Sequence, residues 1–329
     1  MKFENGIIKR IEESILPDPL MTGIVVPPFF NAHTHIGDSF IGKAPKMGIE
    51  ELVGPGGYKH RMLESADEDI VVAGMIKSIK LMKSTGTMGF ADFREGGIKG
   101  VELLKMALDG LGVKAKILSR PVKGDGSEIE DLLKISDGFG MSSLSDHDFE
   151  LLKELSERAH EHGKIFAIHF SERIREDVNK VLELEPDFIV HGLEMNSEDM
   201  KDMADAGIPV VICPRSNAFF GKGPRLVEMV NAGIDVYLGT DNAMISKPDI
   251  LEELRFLYNS TKSKEKEILN AMVMGIFERK LLKGDSIGLR EGDDATFIVI
   301  KRPWIYPEKG IIKAKKEDLQ IFVKGDMNG

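Results

Sequence analysis

Phe29-Phe30-Asn31-Ala32-His33-Thr34-His35 completes an apolar run that opens at Ile24-Val25-Val26-Pro27-Pro28. A run this apolar reads as a buried strand. It ends in two histidines one residue apart. Residues i and i+2 of a strand point to the same face, so His33 and His35 can aim at one point. Two imidazoles at one strand end make half of a divalent-metal site. A His-x-His pair also arises by chance, so its meaning depends on what the rest of the chain delivers.

Downstream of this strand, a Gly- and Pro-rich stretch from Ile36 to Gly57 is long enough to cover a site. A helix is expected over Ala66 to Ser84, with Ile70, Ala73, Ile76, Ile79 and Met82 on one face. Strand and helix patterns then alternate. Strands are expected at Thr87–Phe93, Lys116–Ser119, Gly138–Met141, Ile165–His169, Asp187–His191, Pro209–Cys213 and Asp235–Asp241. Helices are expected at Val101–Leu108, Ile129–Leu133 and Asp146–His162. With the first strand this makes eight βα units over about 250 residues, the count of a TIM-type (β/α)8 barrel. A doubly wound open sheet is the rival and does not need this many regular units.

Both ends differ from this pattern. Residues 1–23 are short, alternating and turn-rich, with Pro17-Asp18-Pro19 near their end. After Leu282, Gly284, Gly288 and Gly292 punctuate a tail whose expected strands are Thr296–Ile300, Ile311-Ile312 and Ile321–Val323. Segments 1–23 and 284–329 are therefore expected to build a small flanking β-sandwich beside a barrel spanning 24–283.

The chain has 329 residues and a formal charge of −10 without a long basic run, which argues against a nucleic-acid or anionic-membrane surface. One cysteine, Cys213, excludes an internal disulfide and fits a reducing cytosol. In an apolar strand it reads as core. No signal-peptide pattern opens the chain and no apolar run reaches membrane-spanning length, so a cytoplasmic protein is expected. A single glutamine, Gln320, among many Lys and Glu hints at a thermophilic source.

The chemistry collects at the expected strand ends: His33 and His35 on the first, His169 on the fifth, His191 on the sixth and Asp241 on the eighth. In a TIM barrel these ends form the active-site face. His160 and His162 serve as a control. Two residues apart on a helix means about 200° around the axis, so they cannot share a metal. His60 and His147 read as surface residues.

Asn31-Ala32-His33-Thr34-His35, His169-Phe170-Ser171-Glu172, His191-Gly192, Cys213-Pro214-Arg215-Ser216-Asn217 and Gly239-Thr240-Asp241 resemble the amidohydrolase superfamily. The resemblance is nearest to its mononuclear branch of cytosine, guanine and S-adenosylhomocysteine-type deaminases and chlorohydrolases, and covers about residues 24 to 283. It implies metal ligands at His33, His35, His169 and Asp241, Glu172 as proton shuttle, and His191 as a second-sphere or water-orienting residue. The short N-terminal segment departs from the larger sandwich of such proteins.

Elementary chemistry agrees. Three neutral imidazoles and a carboxylate suit zinc or iron(II). A bound divalent ion can bring the pKa of its water from 15.7 to about 7 and so give hydroxide at neutral pH. Asp241 can take the water proton, and Glu172 can protonate a ring nitrogen and then serve the departing ammonia. The plainer role for Glu172 is an exposed helix-start glutamate. Dinuclear relatives carry a carboxylated lysine at a middle strand end. Lys123 and Lys134 do not fall there, so one metal per chain is expected.

Arg94, Arg120 and Arg215 follow the second, third and seventh strands, and with Asn217 are candidate substrate contacts. Guanidinium forks suit a carboxylate or phosphate. The alternative pairs Arg94 with Asp92 and has the others tie loops to acidic partners. Phe219 and Phe220 can stack on a heterocycle or pack their loop. The expected activity is hydrolytic deamination of an amino-substituted heterocycle such as a nucleobase or nucleoside. Alternatives are a chlorohydrolase, a cyclic amide hydrolase or a catalytically silent binding protein. The sequence leaves a homo-oligomer open.

Overall fold

The computed structural model describes residues 1–12, 18–278, 281, 283, 289–301 and 306–324. Pro17, Gly284 and Gly288, singled out above, lie outside them. In chain order the strands are β1 (Lys2–Glu4), β2 (Ile7–Arg10), β3 (Ile24–Val26), β4 (Phe29–His35), β5 (Thr87–Arg94), β6 (Lys114–Ser119) and β7 (Gly138–Met141). They continue as β8 (Ile165–Phe170), β9 (Phe188–His191), β10 (Val210–Ile212), β11 (Val236–Leu238), β12 (Asp241–Asn242), β13 (Phe297–Ile300) and β14 (Leu319–Phe322).

Strands β4 to β11 pair side by side in sequence order, all parallel, and β12 pairs back onto β4. β11 and β12 are two halves of one crossing, interrupted at Gly239 and Thr240, so the sheet closes into a TIM-like barrel. At the seam Thr240 N–H donates to the His33 carbonyl at 2.9 Å, and Asn31 Nδ2 donates to Thr240 Oγ1 at 2.8 Å. A Cβ at Gly239 would lie 2.7 Å from His33 Cβ, so no larger residue fits where the ring shuts.

The strands are buried on both faces, as parallel sheets require. Phe30, Ala32, Phe93, Ile165, Ala167, Phe188 and Val190 fill the barrel, while Phe29, Phe90, Phe166 and Ile189 pack under the helices. Several helices begin where an acidic or amide side chain caps the free N–H groups: Asp67 before Glu68–Ser84, Asp125 before Gly126–Ile135, Asp148 before Phe149–Glu161 and Asn196 before Ser197–Asp205.

The structure corrects four expectations. The run from Ile24 to His35 is two strands, because Pro27 and Pro28 have no N–H to give a ladder. β3 leaves the barrel and pairs antiparallel with β13. The face of Glu68–Ser84 is turned: Val71, Met75, Ile79 and Met82 are buried and Ile70 is 55% exposed. Six consecutive small or apolar residues, Val71 to Ile76, made the stripe ambiguous. Gly74 settles it, because a Cβ there would lie 2.7 Å from the Phe40 amide of the 3-10 helix Ile36–Ile41. Ile311-Ile312 is the end of a helix, Pro307–Ile312, with Pro307 opening it. The helix expected from Asp146 starts at Phe149, after a short 3-10 turn.

Among the described residues two small sheets lie outside the barrel: the β1–β2 hairpin and the three-stranded β14–β13–β3. Phe3 of the first meets Phe297 and Phe322 of the second at ring-centroid distances of 5.3 and 6.1 Å. Ile8, Phe297 and Val299 complete an apolar layer between them.

Candidate metal centre

Strict alternation along β4 would defeat the His-x-His pair. Phe30 and Ala32 face the barrel interior, which would turn His33 outward. The ladder to β5 slips between Asn31 and Thr34, and this bulge re-aims the strand end. His33 then stands 4.5 Å, ring to ring, from the interior Phe93. On β8 no correction is needed, since Ile165, Ala167 and His169 share the inner face. His191 and Asp241 depend on left-handed backbone, with φ of 76° and 62°, and Ser171 has φ 48°. Non-glycine residues held in this region mark sites that the surrounding fold over-determines.

His33, His169, His191 and Asp241 each offer one ligand atom within 4.8 Å of the others. His35 stands beside this group, its Nε2 3.4 Å from His169 Nε2 and 3.6 Å from Asp241 Oδ1. His33 Nε2 is 3.4 Å from the same carboxylate oxygen. All five residues are buried, His169 being the most accessible at 7%.

Hydrogen bonds fix the ring states. His35 Nδ1 donates to the Phe93 carbonyl at 3.1 Å and His169 Nδ1 to the Met141 carbonyl at 2.7 Å. Each therefore turns an Nε2 lone pair inward. His191 is the reverse: Asn217 Nδ2 donates to its Nδ1 at 3.1 Å, which leaves the proton on Nε2, 3.5 Å from Glu172 Oε1. Among the described residues neither ring nitrogen of His33 makes a hydrogen bond of ordinary geometry, Nε2 lying 3.4 Å from Asp241 Oδ1. A buried imidazole left unpaired is costly, and an inward set of lone pairs with a carboxylate is what a divalent cation repairs. The donor set fits such an ion.

The electrostatics point the same way. Burial first, and the neighbouring imidazoles second, hold His169 well below the usual histidine range. Burial also lowers His33 and takes His35 to about 3. Neutral imidazole is the ligating form. Burial opposes ionisation of Asp241, but the His33 contact and the other histidines hold it well below the usual carboxylate range. Its Oδ2 accepts from Ser216 Oγ at 2.5 Å and its Oδ1 from Asn242 Nδ2 at 2.8 Å. Glu172 goes the other way, raised by burial.

A cleft above the group is lined by His35, Lys59, Arg120, Ser142, Glu172 and Asn242, among others, and holds about 50 Å³ of free space. Part of the segment between Ile36 and Gly57 covers it. Ile49 and Val53, at the two ends of the helix Ile49–Val53, line the cleft, and Glu50 pairs with Arg173, which also holds Asp146 at 2.8 Å.

Of the three arginines, the structure brings one to the cleft. Arg94 is buried against Glu95 at 2.8 Å and Asp92 at 3.3 Å. Arg215 is held by Glu253 at 2.5 Å and Glu252 at 2.9 Å. Arg120 lines the cleft, with only a long bond to the Gly140 carbonyl, 3.4 Å, and no ion pair among the described residues. Asn217 sits behind His191, and Phe219 and Phe220 pack with Ile41 and Met244 under the cover. His60 and His147, read above as surface residues, are half-buried, His147 Nε2 lying 2.7 Å from Ser142 Oγ. Cys213 is fully buried core.

Sequence reasoning missed Lys59, Glu95, Ser216 and Asn242. Glu95 directly follows the end of β5 and Asn242 directly follows the candidate Asp241, a usable signal. Lys59, on the helix Tyr58–Ser65, has none.

The amidohydrolase family model matches residues 24–327. A protein from Archaeoglobus fulgidus, provisionally named aminohydrolase, is 41% identical over 251 residues, 75% of this chain and 72% of that one. A 5-methylthioadenosine/S-adenosylhomocysteine deaminase from Caldicellulosiruptor saccharolyticus is 28% identical over 295 residues, 77% of this chain and 66% of that one. Among solved structures, the zinc-bound adenosine deaminase of Xanthomonas campestris superposes with a TM-score of 0.76 at 15% identity, covering 92% of this chain and 80% of that one, a likeness of fold.

Proposed function

Because the chain belongs to the amidohydrolase family, we propose that it is a metal-dependent hydrolytic deaminase of an amino-substituted heterocycle. His33, His35, His169 and Asp241 would hold the ion, zinc before iron(II), one per chain. The ring states support that set over one containing His191, whose Nε2 carries a proton toward Glu172. When bound, the ion supplies an activated water at neutral pH.

The chain's own groups do the rest. Glu172, whose pKa burial raises, would give a proton to a ring nitrogen and, as the carboxylate, take one from the attacking oxygen to pass to the leaving ammonia. His191 donates from Nε2 at the same place, kept in that tautomer by Asn217. Asp241 accepts the water proton, its orientation fixed by Ser216 and Asn242. The observation that carries this reading is the convergence of His33, His35, His169 and Asp241 in one buried cleft with Glu172 and His191 beside them.

Arg120 is the guanidinium free to meet an acidic group remote from the reacting carbon; Arg94 and Arg215 serve the fold. We read the two small sheets as a reduced flanking β-sandwich and place the protein in the cytoplasm, which its single cysteine suits. Ammonia release by zinc-loaded protein across purines, pyrimidines, pterins and nucleosides tests the reading; no release from any of them overturns it.

A further inference from the structure

We propose that Lys59 and Glu95 are positioning residues that hold two of the metal ligands through one buried ammonium. The inference rests on the ligand set just given. Lys59 rises from Tyr58–Ser65, the helix that follows the cover, yet is only 3% exposed. Its Nζ lies 2.5 Å from Glu95 Oε1 and donates to Asn242 Oδ1 at 3.0 Å. Each contact leads to a ligand. Glu95 Oε1 lies 2.8 Å from His35 Nδ1, and Asn242 Nδ2 donates to Asp241 Oδ1 at 2.8 Å. Glu95 Oε2 is tied to Arg94 at 2.8 Å, so the carboxylate cannot swing away.

The Phe93 carbonyl takes the aligned hydrogen bond from His35, and Glu95 Oε1 stands beside the same Nδ1 at 2.8 Å, ion-paired to Lys59. Its part is charge. A carboxylate this close keeps the proton on Nδ1 and makes Nε2 the better donor. Lys59 then does two things. It balances the charge of Glu95 in a dry place, and it pulls Asn242 into the orientation whose amide N–H faces Asp241. An unneutralised carboxylate so deep would be costly, and an Asn242 released from Lys59 could turn its oxygen toward Asp241. The mouth-side helix thus reaches both the first and the last barrel crossing.

The test is metal affinity and ligand field in full-length protein. Zn²⁺ binding is measured by competition with a chromophoric chelator, and the visible spectrum is recorded for the Co²⁺-loaded chain. Wild type, His33→Ala, Lys59→Met, Glu95→Gln and the double variant Lys59→Met/Glu95→Gln are compared, with folding followed by circular dichroism. The expected result is a 10- to 100-fold loss of Zn²⁺ affinity in each of the three Lys59 and Glu95 variants, with a shifted Co²⁺ spectrum.

The double variant separates positioning from stability. With both charges gone it regains the thermal stability that either single change costs, but not the metal affinity. Wild-type affinity and spectrum in the folded double variant overturn the proposal, as does loss of fold in all three. A wild-type chain that binds no Zn²⁺, or His33→Ala binding as well as wild type, instead sinks the ligand set itself.

Discussion

His35 Nε2 and His169 Nε2 face each other at 3.4 Å, each with its other ring nitrogen donating to a main-chain carbonyl. Two lone pairs at that distance repel unless a cation lies between them. Purified protein is therefore expected to carry close to one transition metal per chain by elemental analysis. His33→Ala and Asp241→Ala lose most of it, and full turnover after exhaustive chelation would contradict the assignment.

Glu172→Gln keeps the shape of the side chain and removes its acid–base group. It is expected to retain the metal while losing rate by roughly 10²–10⁴-fold, the scale of general acid–base catalysis. Metal analysis and turnover measured on one preparation check both halves. Loss of metal would make Glu172 a ligand.

Arg120 and Arg215 are expected to fail differently. Arg120→Met raises KM for an acidic substrate by roughly ten- to a hundred-fold, the worth of a charge-assisted hydrogen bond of about 1.5–3 kcal/mol, and leaves a neutral analogue of the same ring nearly untouched. Arg215→Met leaves Glu253 buried without its partner and lowers Tm for the whole protein. Equal KM effects on both substrates would assign Arg120 to the fold.

Glu253, which pairs with Arg215 rather than with the histidine cluster, provides a pH signature of its own. Burial raises its pKa from 4.5 to about 7, Arg215 pulling it back only in part. The folded state then binds more protons than the unfolded chain between those values, so this group's contribution is complete below pH 4.5 and is lost as pH rises to about 7. A shift of that size corresponds to ~3 kcal/mol. In urea denaturation of metal-free protein, wild type is expected to lose stability relative to Glu253→Gln by that order between pH 4.5 and 7.5. A difference that stays constant with pH would refute it.

Much of this was legible in the chain. His169 ends a strand whose alternation carries straight to the interior, and the seven-strand run after Phe29–His35 predicts a barrel. What was not legible has a common cause. The bulge between Asn31 and Thr34 and the left-handed turns at His191 and Asp241 break periodicity just where these side chains stand, so they come together by a rule other than the alternation that singled them out. Ile311-Ile312 is too short to tell a strand from a helix end. Arg94, Arg120 and Arg215 look alike in sequence, and only the positions of Glu95, Glu252 and Glu253 tell them apart. Lys59 is one lysine among many until the fold sets it against Glu95.

Asn31 and Thr240 are 209 positions apart and meet at the barrel seam. A ribosome adding about 5–20 residues per second needs roughly 10–40 s to cover that interval. Throughout that time the nascent chain exposes His33 and His35 without Asp241 to complete the set. If His33, His35, His169 and Asp241 hold the ion as proposed, the set is complete only once the last crossing has docked, and products truncated before Asp241 are expected to bind metal more weakly than the full chain.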